Sequence, residues 1–119
     1  MPPVFELDAL LHQPIRTQIV AYLGGRESAS FSELKKQLGS TDGNLEAHLK
    51  KLLEYEYLCT EKDTTTGRVT TLYLLTETGR TALRRYIEEL TAVIQHTGMT
   101  KPERKKRAVV VPGQSPLKT

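Results

Sequence analysis

The chain has 119 residues, 38% of them apolar, with no Trp, two Phe, one Cys and a formal net charge of +3. That length suits one domain with a small, Leu-rich core. The single cysteine excludes an internal disulfide and a cysteine-only metal cage, and no apolar run approaches the ~20 residues of a membrane span.

The opening stretch MPPVFELDAL lacks a basic segment followed by a long apolar run, so no secretory signal is visible and a soluble, cytoplasmic protein is expected. Val4, Phe5, Leu7, Leu10 and Leu11 predict a short helix over 4–11 that packs on a neighbour. Pro14 is favoured at a first helical position, having no N–H to leave unpaired. Ile15, Ile19, Val20 and Leu23 follow with near-helical spacing, and Gly24-Gly25 ends that helix. Ser30-Phe31-Ser32-Glu33 has the form of a capping box. The Ser30 side chain accepts from the Glu33 N–H, and the Glu33 carboxylate reaches back to the Ser30 N–H. Phe31, Leu34 and Leu38 share one face of a two-turn helix, and Gly39 stops it. So short a helix has to be held by tertiary contacts.

Thr41 can cap the next helix, in which Leu45, Leu49 and Leu52 form a leucine stripe. Two helices joined by a short turn at a Gly make a helix-turn-helix candidate. Tyr57–Asp63 and Val69–Thr76 are rich in β-branched and aromatic residues and flank the polar turn Thr64–Arg68, which predicts a β-hairpin with a mobile tip. Thr76 can cap a long helix from Glu77 to about His96. After Gly98 the composition changes to KPERKKRAVVVPGQSPLKT, a basic, Pro-containing stretch expected to be a flexible tail. The expected organisation is a domain over 1–97 and a basic tail over 98–119. Residues 98–119 hold six Lys/Arg and one Glu (+5), whereas residues 1–97 hold eleven Lys/Arg and thirteen Asp/Glu (−2). The basic balance therefore belongs to the tail.

Helix, helix, helix, hairpin, helix is the winged-helix plan: an α+β chain, mostly α, with a winged helix-turn-helix and a long C-terminal dimerisation helix. The third helix starts with small polar groups, which such a plan explains. The face opposite its leucine stripe carries Gly43, Asn44, Ala47, Lys50 and Lys51, with His48 at the border. A helix end entering the DNA major groove must be slim, and Gly43 and Ala47 are small. Thr41, Asn44 and His48 offer short donors and acceptors, and the free N–H groups of the first turn suit a phosphate. Lys50 and Lys51 reach for the backbone. Arg68 is either a solubilising loop charge or a wing-tip arginine for a narrow minor groove, and Lys62 is a weaker wing candidate.

The segments LLHQPIR (10–16), SFSELKKQLG (30–39), TDGNLEAHLKKLLEYEYL (41–58) and LTETGRTAL (75–83) carry a resemblance to winged-helix transcriptional regulators of the MarR/ArsR-like type, in particular small winged-helix DNA-binding domain proteins. The resemblance spans about residues 5–96. It implies a DNA-binding regulator that acts as a homodimer on double-stranded DNA, with the terminal helix and the N-terminal segment pairing. In the long helix, Leu83, Ile87, Leu90 and Ile94 follow a/d spacing while Tyr86 and Val93 broaden the stripe to a second side, as expected if one side meets a partner helix. Val4, Phe5 and Leu7 are expected to join that surface. Regulators of the ArsR type often sense metals through paired Cys or His/carboxylate ligands, and no such cluster is legible here.

The same residues have plainer readings. Asn44, His48 and Lys51 taken alone are an ordinary solvated helix face, and Asp42 and Glu46 would repel phosphate. Across residues 31–68 there are six Lys/Arg against seven Asp/Glu, a modest footprint for a DNA binder. The alternative function is a winged-helix protein–protein module without specific DNA binding. Cys59 is expected as a small core residue at the start of the hairpin. His12, His48 and His96 lack metal-ligand spacing, and Glu88-Glu89 point in different directions, so no metal, cofactor or catalytic constellation is expected. The operator, the sign of regulation and any small-molecule effector are not written in these residues.

Overall fold

The computed structural model describes residues 7–98. By backbone contacts the chain divides into two compact units, Met1–Glu89 and Leu90–Thr119.

The described part of the first unit opens with a turn. A helix was expected here, but Leu7–Gln13 contains none. Asp8 Oδ1 accepts from the N–H groups of Leu10 (2.8 Å) and Leu11 (3.1 Å), and the Asp8 carbonyl accepts from the His12 N–H at 2.8 Å. A short acidic side chain that satisfies nearby amides competes with helix formation, and here it prevails. Val4 and Phe5 of the expected segment lie outside the described residues.

Helix α1 (Pro14–Gly24) has Pro14 in its first turn and Gln13 as cap, whose side chain accepts from the Arg16 N–H. It is followed by α2 (Phe31–Leu38) and α3 (Asp42–Glu54). Ser30 caps α2 by accepting from the Glu33 N–H at 3.1 Å, as half of the expected box requires. The other half does not form. The Glu33 carboxylate accepts instead from the Tyr22 hydroxyl at 2.6 Å, and Ser30 is taken into a strand. Gly39 ends α2 with φ 63°, a left-handed conformation that glycine adopts without strain.

That strand was not expected from the sequence. Ala29–Ser30 (β1) pairs antiparallel with β3 (Thr70–Leu75), which pairs antiparallel with β2 (Leu58–Asp63), giving the sheet order β1-β3-β2. Two residues carry too little pattern to be read as a strand. They become one because Ala29 meets Tyr73 and Ser30 meets Leu72 on the open edge of β3. The hairpin register runs from Leu58 opposite Leu75 to Asp63 opposite Thr70. In β2, Leu58 is buried and Cys59 points outward. Strand alternation therefore overturns the expected core position of Cys59.

The core is Leu11, Ile19, Val20, Leu23, Leu34, Leu45, Leu49, Leu52 and Leu58, all 2% exposed or less. Each such side chain contributes about 1.5–3 kcal/mol through apolar burial. α1 lies against both α2 and α3, so the leucine stripe of α3 is fixed by the first helix. α3 leaves through a left-handed residue, Glu56 (φ 59°), with the Tyr57 N–H bonded to the Leu52 carbonyl at 2.9 Å and the Glu56 N–H to Leu53 at 3.0 Å. This is a Schellman ending built on a glutamate where glycine is usual.

Helix α4 spans Glu77–His96 and is capped by Thr76, whose Oγ1 accepts from the Gly79 N–H at 2.9 Å. Gly79 is buried. A Cβ there would overlap the Tyr57 carbonyl and stand 2.7 Å from Leu75 Cδ1, so only glycine lets the helix start this close. Among residues up to Glu89, Tyr86 is 6% exposed, and its hydroxyl stands 2.8 Å from His12 Nδ1. The expected pairing face is corrected at this position, because Tyr86 is taken up by the core of its own unit. Ile87 is 52% exposed, and Leu7 and Leu83 are half-buried.

In the second unit, Leu90 and Val93 are half-buried and Ile94 is 47% exposed. Its helical end closes with the Thr97 N–H on the Val93 carbonyl at 3.1 Å and the Gly98 N–H on Gln95 at 3.2 Å. The basic stretch after Gly98 lies outside the described residues. Among the described residues, no helix is long and apolar enough to cross a membrane.

Candidate nucleic-acid interface

The start of α3 is anchored from behind and open in front. Leu45, Leu49 and Leu52 are fully buried, while Thr41, Gly43, Asn44, Ala47, Lys50 and Lys51 are all exposed. Thr41 Oγ1 accepts from the Asn44 N–H at 3.2 Å, which fixes the first turn and uses one of its free amides. Asn44 Nδ2 donates to Ser40 Oγ at 3.4 Å. A Cβ added at Gly43 would meet nothing within 4 Å. Among the described residues, slimness there serves no neighbour.

The acidic residue at this end is answered by a base. Lys35 Nζ of α2 stands 2.7 Å from Asp42 Oδ1, which ties the two helices of the motif together and offsets the carboxylate at the helix start. The pair is exposed, so its contribution to stability is about 0–1 kcal/mol. Further along, Lys51 Nζ lies 5.9 Å from the centre of the Tyr55 ring. Ala47, Lys50, Lys51 and Glu54 line a shallow, open depression on the same helix.

His48 is half-buried. Its Nδ1 lies 3.2 Å from Arg16 Nη1, and Arg16 Nε donates to the Leu10 carbonyl at 2.7 Å. Partial burial, and then the Arg16 charge, hold the His48 imidazole below its ordinary pKa. Sequence reasoning missed Arg16. It sits 32 residues from His48, on a helix read only for its apolar face, and nothing local in the sequence marks the contact.

The wing candidates stand on a separate element. Lys62 Nζ donates across the hairpin to Thr71 Oγ1 at 2.8 Å, so it braces two strands. The turn is shaped by Asp63, whose Oδ1 accepts from the Thr65 N–H (3.0 Å) and hydroxyl (2.8 Å). Those bonds hold the Asp63 carboxyl below the usual carboxylate range. Gly67 takes φ 86°, and its N–H bonds the Thr64 carbonyl at 3.2 Å. Arg68 is exposed beside it, and so is Val69 at 68%, an apolar tip residue the sequence reading did not single out. Among the described residues, no group of three or more His, Cys, Asp or Glu is placed to share a metal ion.

Residues 15–94 match a family model described as winged helix DNA-binding domain. Over 81 residues the chain is 43% identical to an uncharacterized protein of Methanocaldococcus jannaschii, covering 68% of this chain and 88% of that protein. Among solved structures, a transcriptional regulator homologue from Pyrococcus horikoshii OT3 is similar with a TM-score of 0.70 and 31% identity, covering 76% of this chain and 89% of that one. The reduced form of the transcriptional regulator YodB from B. subtilis is similar with a TM-score of 0.62 and 26% identity, covering 72% and 82%.

Proposed function

This chain belongs to the winged helix DNA-binding domain family, and on that premise we propose that it is a transcriptional regulator that inserts the start of α3 into the DNA major groove. The observation that carries this reading is the asymmetry of α3. Its apolar side is locked in the core, and its slim polar side, Thr41 to Lys51, is exposed without a protein neighbour at Gly43. Recognition helices of helix-turn-helix proteins meet base edges with their N-terminal residues. Asn44 and His48 are assigned to base edges, Thr41 and the first-turn amides to a phosphate, and Lys50 and Lys51 to the backbone. Gly43 and Ala47 allow close approach. The hairpin tip is the wing, with Arg68 reaching DNA and Lys62 a lesser contributor.

One such helix touches few base pairs, and residues 31–68 carry six Lys/Arg against seven Asp/Glu. Two-fold pairing doubles the contacts, so we assign a homodimer reading half-sites about one helical turn, ~34–36 Å, apart. The 52% exposure of Ile87 supports a pairing surface on α4. The same charge balance favours a second reading, a winged-helix module that binds protein instead of DNA.

Binding of the full chain to randomised and genomic duplexes at low and moderate salt separates the two. Asn44→Ala should lose about 1–3 kcal/mol of discrimination between sites if it makes a bidentate contact. Lys51→Ala should weaken all sequences alike and flatten the salt slope by about one unit. Binding to operator and random DNA that neither substitution alters would remove α3 as the reader. Sedimentation should show a dimer at micromolar concentration that Ile87→Glu dissociates, and a wild-type monomer would move the weight to the protein module.

A further inference from the structure

Arg16 is held at two points. Its Nε donates to the Leu10 carbonyl at 2.7 Å, and its Nη1 stands 3.2 Å from His48 Nδ1. A guanidinium has only donors to offer. The His48 nitrogen that faces it must therefore present its lone pair, and a neutral His48 carries its proton on Nε2. The bond to Leu10 restrains the guanidinium, so the pairing does not depend on a free surface side chain. Among the described residues no buried side-chain nitrogen or oxygen lacks a partner, and the only hydrogen bond of His48 is through Nδ1. Nε2 is therefore not sealed inside the chain. His48 follows Asn44 by four residues, one helical turn further along the exposed side of α3.

Resting on the reading of α3 as the DNA-contacting helix, we propose that Arg16 is a positioning residue that fixes His48 as an Nε2–H donor, which makes His48 a reader of an acceptor base edge. In the major groove the acceptors are purine N7, guanine O6 and thymine O4, whereas cytosine N4 and adenine N6 are donors. His48 in this tautomer discriminates against a donor edge because two donors facing each other leave both groups unpaired. The opposite tautomer would accept, and would favour the other set of bases. Arg16 thus contributes to specificity without touching DNA. A phosphate oxygen is also an acceptor, and the sequence dependence of the effect separates it from a base edge.

The experiment has two arms on the full-length protein. In the first, long-range nitrogen–proton correlation spectra at neutral pH should show His48 protonated on Nε2 with a bare Nδ1, and Arg16→Met should admit a measurable Nδ1–H population. A wild-type Nδ1–H tautomer, or an unchanged His48 pattern in Arg16→Met, overturns the proposal. In the second arm, selection from randomised duplexes should give a wild-type consensus with an acceptor edge at one position. His48→Ala and Arg16→Met should both relax that position by on the order of tenfold, the size of one hydrogen bond, and leave the other positions intact. If Arg16→Met fails to fold, His48→Ala and the wild-type spectrum still decide. A uniform loss across all sequences in His48→Ala assigns a phosphate and overturns the base-reading role, as does an unaltered consensus. A wild type that selects no sequence at all defeats the DNA-reading function itself, which is a different outcome from a consensus that His48 does not influence.

Discussion

α3 opens with Thr41-Asp42-Gly43-Asn44 and α4 with Thr76-Glu77-Thr78-Gly79. The two starts are built from the same parts: a threonine cap, an acidic first position and a glycine within the first turn. Each threonine accepts from the amide three residues on, Asn44 at 3.2 Å and Gly79 at 2.9 Å. What surrounds the glycines differs completely. Nothing lies within 4 Å of a Cβ at Gly43, whereas one at Gly79 would overlap the Tyr57 carbonyl. One absent side chain leaves room for something outside the chain, and the other leaves room for the chain itself. Composition at a helix start therefore fixes the helix boundary but not its purpose.

The largest effect expected from this contrast is at Gly79. Gly79→Ala forces backbone apart, and overpacking of this kind costs about 1–3 kcal/mol, occasionally more. The melting temperature should fall by roughly 4–8 °C per kcal/mol for a domain of this size. Thermal denaturation of the variant without a shift would show that α4 can slide away from Tyr57 at little cost and would dissolve the contrast.

The caps come next. Thr76 also places its hydroxyl 2.7 Å from the Glu56 carbonyl and 3.1 Å from that of Tyr57, so it joins the start of α4 to the end of α3. Thr41 makes its cap bond alone, on an exposed turn. Thr76→Ala should cost about 2 kcal/mol and Thr41→Ala about 1 kcal/mol, the upper and middle of the range for lost caps. Urea midpoints of the two variants check the order.

How far each start was legible follows from the same contrast. Thr41, Thr76, the leucine stripe of α3 and the stop at Gly39 are local signals, and the structure has each of them in place. The winged-helix architecture could be read from their order. What was lost depended on partners far along the chain. Asp8 spends its carboxylate on the Leu10 and Leu11 amides and on the Tyr57 hydroxyl, so the described part of the expected first segment, from Leu7 on, is not helical. Glu33 turns to Tyr22 instead of closing its box. Cys59 faces out because Leu58 takes the inward position and strand alternation turns the next side chain away from the core. At the candidate interface the exposed face of α3 was readable from its period, but Arg16 was not. Helical spacing tells which side of a helix is polar and says nothing about which residue of another helix arrives there.

Gly43 should respond in the opposite sense to Gly79. Alanine has space there and a better helix propensity, so Gly43→Ala should raise stability by about 0.5–1 kcal/mol. On the reading of α3 as the groove-entering helix, the added methyl should weaken DNA binding at the same time. A variant that gains stability and keeps full affinity would show that the backbone at Gly43 does not approach DNA closely.

The smallest effect is a pair of pH limbs, one for each helix start. Beside α4, burial and then the hydrogen bond to Asp8 push the Tyr57 hydroxyl up to about 12, from an ordinary 10.0. The folded chain holds that proton more tightly than the unfolded one, so this contribution is complete below pH 10 and is lost as pH rises towards 12. Beside α3 the sign is reversed. His48 is held below its ordinary 6.5 by partial burial and by Arg16, so the folded chain prefers the neutral ring. Its contribution is complete above pH 6.5 and falls away as pH drops through the depressed folded value. Both groups are only partly buried, which keeps each limb shallow. Urea midpoints across pH should lose part of their alkaline slope in Tyr57→Phe and part of their acid slope below 6.5 in His48→Gln, each leaving the other limb alone. A His48→Gln variant with the wild-type acid slope would mean that neither burial nor the Arg16 charge disfavours the charged ring in the folded chain.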